Sequence, residues 1–380
     1  MAGVVRVAFV SSHALPGGSE RYLEDLLDRL QPEWIAGVVS LQDGWLVDRL
    51  RAAGRSVTVV STPARLGILP AAWRLRRALL AQKPDVVHAN GVKAALVAGV
   101  AMVGTGVPIL WLKHDFFWDG PVAGITARLC AEVVGVSRAV TETFGTRLAH
   151  RVKVVPNGIR RVEADPLAGR RRLEALLGLE AADQVVLLLG RLHRIKGALQ
   201  LIDAAPVLLA RRPDAVLAVI GGEDPGEPGL LDELRARIGA FGVGDRVRLA
   251  GHQDDPLTLI AGADVLAVPS GPNAPGLRGE GFGLVALEAM AVGTPVVAYD
   301  AGALPEVLDG CGLLVPPGDP DALAAGVARV LEDPRLVERL VVAARRRAEE
   351  RYDLNRVARE MEARYRAVTR RKAGHGADET

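Results

Sequence analysis

Short runs of consecutive apolar residues alternate along the chain with longer segments whose apolar positions recur every three or four residues. Continuous apolar runs are typical of strands buried on both faces of a parallel sheet. The longer segments have helical spacing, so the pattern predicts repeated β-then-α units with helices on both sides of the sheet. A first series begins with strand 4–11 and helix 19–30, and a second begins with strand 184–189.

The pattern is interrupted between residues 157 and 180, where a charged stretch contains Pro166 and Gly169. At 380 residues the chain is also longer than one core usually holds. The predicted fold class is therefore α/β, with two doubly wound domains that face each other across a cleft. The predicted segments are an N-terminal domain 1–165, a C-terminal domain 166–352, a helix 353–372 and a disordered tail 373–380.

One uncharged segment, residues 94–112, approaches the length of a membrane-spanning helix. Gly104, Gly106 and Pro108 interrupt it, so we interpret it as a buried helix, a turn and the strand 109–112. A second segment offers a different membrane contact, because Trp73, Arg74, Arg76 and Arg77 cluster on one predicted helix. We favour the alternative for this helix, in which Leu75, Leu79 and Leu80 pack on the sheet and the arginines are solvated.

The net charge of +2 does not indicate a nucleic-acid-binding protein, although residues 1–165 carry +6 and residues 166–355 carry −7. The two cysteines, Cys130 and Cys311, exclude a disulfide framework and a cysteine zinc site. No signal-peptide core precedes the first strand, so a cytoplasmic protein is expected. Arginine outnumbers lysine 41 to 6, which suggests a bacterial genome rich in GC.

Two glycine-containing loops lack the usual nucleotide fingerprints. The loop with Gly17 and Gly18 does not have GxGxxG spacing, and the loop from Gly190 to Gly197 reverses the final pair of a Walker loop. The second loop nevertheless follows an apolar strand and opens a helix, where backbone N–H groups and the helix dipole attract anions. Arg191 and Lys196 are two cations suited to a diphosphate; the alternative is a solvated basic turn.

The segment Glu280–Leu284 places a carboxylate and two glycines before a predicted helix, and Glu288 lies about one turn inside that helix. The glycines let the backbone approach a ligand closely. The two carboxylates could bind two sets of hydroxyl groups on one elongated ligand. The alternative is a helix-capping acid and an unrelated surface acid.

These motifs in this order, with others between residues 4 and 332, make the chain resemble glycosyltransferase family 4. The resemblance implies two Rossmann-like domains of the GT-B fold, with C-terminal helices that cross back to the N-terminal domain. It also implies a retaining enzyme, with an acceptor-binding N-terminal domain and a C-terminal domain for a nucleotide-diphosphate sugar. The other matching segments are 16–20, 84–88, 113–115, 136–139, 155–159, 293–298 and 312–319.

The resemblance also implies a role for each matching residue. Arg191 and Lys196 would hold the diphosphate, Glu280 the donor-sugar hydroxyls and Glu288 the ribose, and His114 would contact the transferred sugar. The implied catalytic residues are His114, Glu280, Arg191 and Lys196. The implied donor-binding residues are Gly17, Gly18, Arg191, Lys196, Gly251, Asp254, Glu280, Gly281, Phe282, Gly283, Leu284 and Glu288.

The expected reaction moves a sugar, first of all from a UDP-sugar, to a hydroxyl of a small molecule such as a natural product or an envelope precursor. Neither a metal nor another cofactor is predicted, on the expectation that the sequence contains no Asp-x-Asp pair. Membrane contact is not favoured, and no nucleic-acid partner is expected.

Two departures from the family are a longer loop at 270–279, which leaves the donor sugar open, and Ala303 in place of a second glycine. The alternatives are a pseudo-glycosyltransferase and a sugar-nucleotide 2-epimerase on the same fold.

Overall fold

A computed structural model describes residues 4–62, 68–180, 182–273 and 278–375, with side chains up to residue 371. The chain divides into two compact units. Unit 1 comprises Met1–Gly158 together with Leu354–Thr380, and unit 2 comprises Ile159–Asp353. The N-terminal segment of unit 1 thus ends at Gly158, whereas the predicted boundary was residue 165; residues 159–165 belong to unit 2.

Unit 1 is built on a seven-stranded parallel sheet with the strand order β3-β2-β1-β4-β5-β6-β7. Its strands are Val7–Ser11 (β1), Ile35–Ser40 (β2), Val57–Val59 (β3), Val86–Asn90 (β4), Ile109–Lys113 (β5), Glu132–Gly135 (β6) and Val152–Val154 (β7). Its helices up to residue 158 are Gly18–Arg29 (α1), Trp45–Ala52 (α2), Ile68–Gln82 (α3), Val92–Ala101 (α4), Pro121–Leu129 (α5), Arg138–Thr141 (α6) and Gly145–Leu148 (α7).

Unit 2 repeats this design with a six-stranded parallel sheet in the order β10-β9-β8-β11-β12-β13. Its strands are Gln184–Leu189 (β8), Ala215–Ile220 (β9), Val247–Leu249 (β10), Val265–Val268 (β11), Val296–Tyr299 (β12) and Leu313–Val315 (β13). Its helices are Pro166–Leu177 (α8), Ala198–Arg211 (α9), Leu230–Phe241 (α10), Pro256–Ala261 (α11), Leu284–Val292 (α12), Leu304–Leu308 (α13), Pro320–Glu332 (α14) and Pro334–Tyr352 (α15).

The charged stretch that was predicted as a break contains helix α8. The carboxylate of Asp165 accepts a hydrogen bond from the Leu167 N–H at 2.9 Å, and Pro166 occupies the first helical turn. Both are standard features of a helix start. Gly169 is not a helix breaker either, because a Cβ there would lie 2.3 Å from the Thr258 carbonyl oxygen. The absent side chain lets α8 and α11 pack closely.

The last helix, Leu354–His375 (α16), packs within unit 1. Met361, Tyr365 and Val368 are buried, and the Tyr365 ring lies edge-on to Phe9 with 6.3 Å between ring centroids. The prediction of a disordered tail from residue 373 was wrong for the first three positions, since α16 continues to His375. Residues 376–380 lie outside the described residues.

The uncharged segment 94–112 belongs to helix α4 and strand β5 of unit 1, joined by a turn, as predicted. Across the described ranges, every helix is too short or too polar to cross a bilayer.

Candidate functional site

The loop between β8 and α9 is held against the end of β11. Gly197 has a φ of +77°, and a Cβ there would lie 2.1 Å from the Pro269 carbonyl oxygen. The side-chain amide of Asn273 donates to the carbonyl groups of Arg194 (3.2 Å), Ile195 (3.3 Å) and Pro269 (3.0 Å). This packing fixes the backbone on both sides of Lys196.

Lys196 and Glu280 form an ion pair on unit 2. The Lys196 Nζ lies 2.6 Å from Glu280 Oε1, and the Ser270 hydroxyl donates to the same oxygen at 3.0 Å. The side chains of Lys196 and Glu280 are 28% and 11% exposed. The pair is therefore ordered by its neighbours but remains within reach of a ligand from solution.

The backbone of Glu280 is positioned by the turn before α13. The Ala303 N–H donates to the Glu280 carbonyl oxygen at 2.9 Å. Gly302 has a φ of +59°, and a Cβ on it would lie 2.4 Å from that oxygen. Glycine is thus required at 302, whereas Ala303 is fully buried and is the residue preceding α13.

The turn that follows Glu280 leads into helix α12. Gly283 is the N-cap of this helix and has a φ of +93°, a conformation that favours glycine. Phe282 is 4% exposed and packs edge-on against Tyr352 at 5.6 Å, so its side chain belongs to the core and only its backbone is available to a ligand. Leu284 begins α12, and Glu288 is partly buried on the next turn.

Arg191 does not join the pair of Lys196 and Glu280. Its guanidinium lies 3.1 Å from Asp224 Oδ2, and its side chain is 46% exposed. Asp224 follows β9, which runs beside β8; a Cβ on Gly221 would lie 1.7 Å from the Gly190 carbonyl oxygen. The two predicted cations of the loop thus engage different carboxylates.

The residues expected near a nucleotide base lie at the end of β10. Gly251 has a φ of +65°, and its carbonyl oxygen accepts a hydrogen bond from the Gly221 N–H at 2.8 Å. The side chain of Asp254 is 98% exposed and lies 3.7 Å from His252 Nε2. Gly251 is therefore tied to the loop after β9, whereas the carboxylate of Asp254 is in solvent.

The remaining predicted residues lie on unit 1. Gly17 is the N-cap of α1 and Gly18 is its first residue. A Cβ on Gly17 would lie 2.6 Å from the Glu20 carboxylate, so a larger residue there would displace that carboxylate. The Glu20 carboxylate also accepts a hydrogen bond from the Ser19 hydroxyl at 2.8 Å.

His114 follows β5 directly, is partly buried and contacts the buried side chain of Asn90. Its Nε2 lies 2.6 Å from Asn90 Oδ1, and the Tyr22 ring is edge-on to its ring at 5.6 Å. Burial, and then the charge of Lys113, lower the pKa of His114 to about 3. Nearby, His88 Nδ1 lies 2.7 Å from the Tyr365 hydroxyl, and burial lowers the pKa of His88 to about 3. Both imidazoles are neutral at physiological pH.

Sequence reasoning missed three residues that contact the predicted ones: Asn90, Ser270 and Asp224. Each is polar and lies at or just beyond the carboxyl end of a parallel strand. Ligands of such sheets bind at this edge, so the signal was present in the strand boundaries.

No group of three or more His, Cys, Asp or Glu residues arranged for a metal ion occurs among the residues that the structure describes. The expectation that the sequence contains no Asp-x-Asp pair was wrong, because residues 319–321 read Asp-Pro-Asp. Asp319 is the N-cap of α14, where its carboxylate accepts a hydrogen bond from the Ala322 N–H at 2.9 Å. That carboxylate thus caps a helix.

The outer face of α3 differs from the expectation in two respects. Leu75 and Leu79 are buried, but Leu80 is 43% exposed, and Trp73 is 63% exposed. Arg76 is not simply solvated, because its guanidinium donates to the carbonyl groups of Ala101 (2.8 Å) and Val103 (2.9 Å) after α4. Of the predicted basic cluster, Arg74 and Arg77 are exposed.

Two family models match the chain in succession: "Glycosyltransferase Family 4" over residues 16–161 and "Glycosyl transferases group 1" over residues 170–347. A D-inositol 3-phosphate glycosyltransferase of Nocardiopsis dassonvillei is 30% identical, with 90% of this chain and 92% of that enzyme covered. A phosphatidyl-myo-inositol mannosyltransferase of Mycobacterium tuberculosis is 34% identical, with coverage of 87% and 86%.

Among solved structures, HepE of Anabaena in complex with UDP and glucose superposes with a TM-score of 0.82 at 26% identity. The match covers 94% of this chain and 98% of HepE. Together with the two parallel-sheet units, this likeness supports the GT-B fold that the sequence led us to expect.

Proposed function

Since the chain belongs to the glycosyltransferases of family 4, we propose that it transfers a hexose from a UDP-sugar, with retention, to a hydroxyl of an acceptor carrying an inositol phosphate group. The UDP-sugar is supported by HepE, which is described in complex with UDP, with UDP-glucose, and with UDP and glucose. The acceptor is supported by the names of the inositol-phosphate and phosphatidyl-inositol relatives.

The observation that carries this proposal is the contact of Lys196 and Ser270 with one oxygen of Glu280. A diphosphate is a stronger partner for an ammonium group than a single carboxylate, because it carries more charge. Donor binding would therefore transfer Lys196 from Glu280 to the diphosphate. The freed carboxylate of Glu280 would then accept hydrogen bonds from the donor-sugar hydroxyls.

The same exchange is proposed for Arg191, which in the free protein is paired with Asp224. Two cations on the diphosphate offset the negative charge that develops on the leaving group as the bond from sugar C1 to phosphate oxygen breaks. The acceptor oxygen attacks C1 on the same face, and its proton passes to the leaving phosphate oxygen. The side chains act by positioning and by charge, and no metal is assigned a role.

The test has two stages. Calorimetry with UDP, GDP and dTDP, each in EDTA, measures nucleotide binding, and we expect UDP to bind best without metal. Mass spectrometry then tests whether a glycosylated product forms when UDP-sugars are combined with inositol 3-phosphate, phosphatidylinositol or an alkyl glycoside. NMR of the product reports the anomeric configuration.

We expect product with an inositol phosphate acceptor. Comparing inositol 3-phosphate with phosphatidylinositol shows whether the acceptor is a free or a lipid-linked molecule. Loss of nucleotide binding in EDTA would remove the metal-free mechanism. UDP binding without any product would support a pseudo-glycosyltransferase, and conversion of the UDP-sugar itself would support an epimerase.

A further inference from the structure

The side-chain amide of Asn90 has only one chemically consistent orientation. Asn90 is the last residue of β4 and is 1% exposed. Its Nδ2 donates to the Ser19 carbonyl oxygen at 3.1 Å. A flipped amide would place Oδ1 against that carbonyl oxygen, and two acceptors would face each other. The oxygen end of Asn90 is therefore directed at its other neighbour, His114.

This orientation determines which nitrogen of His114 carries the proton. Nε2 lies 2.6 Å from Asn90 Oδ1, which can only accept a hydrogen bond, so Nε2 must be protonated. Burial keeps the imidazole neutral, since it lowers the pKa of His114 to about 3. A neutral imidazole has a single N–H, and Nδ1 therefore carries a lone pair.

We propose that Asn90 is a positioning residue that holds His114 as the Nε2–H tautomer, so that Nδ1 accepts a hydrogen bond from one hydroxyl of the donor sugar. This inference rests on the proposed function and on the contact with the transferred sugar that the family resemblance implies for His114. A lone pair repels phosphate oxygens, so the same tautomer directs His114 to the sugar and away from the diphosphate. The imidazole thereby helps to orient the sugar relative to its leaving group.

The surroundings of the imidazole restrict its rotation. The Tyr22 ring, which is 2% exposed, contacts one edge of the ring. A 180° flip of the imidazole would exchange the ring nitrogens for carbons and break the contact with Asn90. The hydrogen bond that His114 Nε2–H donates to Asn90 and the packing of Tyr22 therefore select one ring orientation and one tautomer together.

The tautomer can be measured without any substrate. We would label the full chain with ¹⁵N-histidine and record long-range ¹H–¹⁵N correlations at pH 7, with His114 assigned among the seven histidines through His114→Gln. We expect the Nε2–H pattern in the wild type and a mixture of tautomers in Asn90→Ala. An Nδ1–H pattern in the wild type, or an unchanged tautomer in Asn90→Ala, would overturn the inference.

Ser12→Ala is the matched control. Ser12 is 4% exposed at the same sheet edge, and its hydroxyl donates to the backbone carbonyl of Asn90 at 2.9 Å and accepts from the Ala94 N–H at 2.9 Å. The variant loses buried hydrogen bonds without touching the Asn90 amide. We expect it to keep the Nε2–H tautomer; the same mixture as in Asn90→Ala would show that Asn90 acts only through general packing.

Kinetics with monodeoxy UDP-sugars identify the hydroxyl. We expect Asn90→Ala to lower kcat/KM about tenfold with the intact donor, while the affinity for UDP is unchanged. The deoxy donor that lacks this hydroxyl should have a lower kcat/KM than the intact donor in the wild type. In Asn90→Ala the two donors should have similar kcat/KM values. An equal loss of kcat/KM with the deoxy donor in both proteins would contradict the role of Asn90 in sugar recognition. If no donor is turned over at all, the proposed function fails, while the NMR result on the tautomer stands.

Discussion

The two units place opposite kinds of polar chemistry at the carboxyl ends of their sheets. Unit 1 carries a neutral network of uncharged, hydrogen-bonded groups: His88 and Asn90, which are buried, and His114, which is partly buried. On unit 2, Lys196 and Glu280 form an ion pair that keeps some contact with solvent. The neutral network is complete once unit 1 folds. In the proposed function the ion pair separates when the donor diphosphate binds, so its arrangement would depend on the ligand.

The physical reason for this difference is the cost of burying charge. An imidazole enclosed by strands and helices loses its proton, because the surroundings cannot solvate an imidazolium. Lys196 and Glu280 keep their charges because they neutralise each other and remain partly hydrated. A neutral group can specify geometry, and a charged pair can exchange partners. The predictions below test this division.

The largest expected effect is that of Lys196→Ala on the charged site. Losing a charge-assisted contact with a developing anion costs about 3 kcal/mol in the transition state, so kcat should fall by roughly two orders of magnitude. Because the side chain is on a partly exposed loop, the free energy of unfolding should change by less than about 1 kcal/mol. Steady-state kinetics and urea unfolding measure the two quantities.

Arg235→Ala is the control for Lys196→Ala. It also removes a cation from unit 2, but Arg235 pairs with Asp232 on the surface and is 64% exposed. Its activity should match the wild type. A Lys196→Ala protein with normal kcat and a normal fold would refute the role given to the lysine.

The second prediction separates the two carboxylates of unit 2. Glu280→Gln should lower transfer by about ten- to a hundredfold, because sugar hydroxyls lose a charged acceptor. Its affinity for UDP should stay the same or rise, since Lys196 loses its anionic partner. Glu288→Gln should instead weaken UDP binding by about tenfold. Calorimetry and kinetics on both variants decide, and equal losses of UDP affinity would contradict the assignment.

The sequence did not predict that Lys196 pairs with Glu280, because the resemblance assigned one to a diphosphate and the other to a sugar. It did predict the two parallel sheets and the C-terminal helical segments. These features follow from local patterns, which apolar runs and glycine spacing record directly. It did not predict α8, because Pro166 and Gly169 were interpreted as breaks rather than as an N-terminal residue and a packing contact. It also missed Asn90 and Ser270, whose partners are 24 and 10 residues away and become visible only once strands lie side by side.

The third prediction concerns acidification, which should affect the neutral network first. The pKa of His88 is about 3 in the folded chain, and an unfolded histidine titrates near 6.5. Between these values only the unfolded state binds the proton, so stability decreases as the pH falls below about 6.5. At pH 5 the loss from this one group is roughly 2 kcal/mol.

Unit 2 should resist the same change. Hydrogen bonds lower the pKa of Asp183, chiefly from the Glu180 backbone, and of Glu233, chiefly from Arg194. Their contribution is present above the ordinary carboxyl pKa and is lost only as the pH falls through the lowered values. All five tryptophans lie in unit 1, so urea unfolding followed by tryptophan fluorescence reports on that unit. The urea midpoint should decrease when the pH is lowered from 7 to 5, and the decrease should be smaller in His88→Gln. Equal decreases in the two proteins would exclude His88 as the cause.

The smallest expected effect concerns the charge difference between the halves, +6 for residues 1–165 against −7 for residues 166–355. If the basic half bound anionic membranes through α3, the exposed side chains Trp73, Arg74 and Arg77 would carry the contact. Two exposed arginines supply only about 2 kcal/mol, and that contribution is screened by salt. We therefore expect weak co-sedimentation with phosphatidylglycerol vesicles at physiological ionic strength, little different from that with phosphatidylcholine vesicles. The variant to compare is Arg74→Ala with Arg77→Ala; Arg76 is left intact because its hydrogen bonds to Ala101 and Val103 make it structural. Strong binding to the anionic vesicles alone, abolished by that double change, would show that the basic half recognises a membrane surface, and a lipid-linked acceptor would then be the first to test.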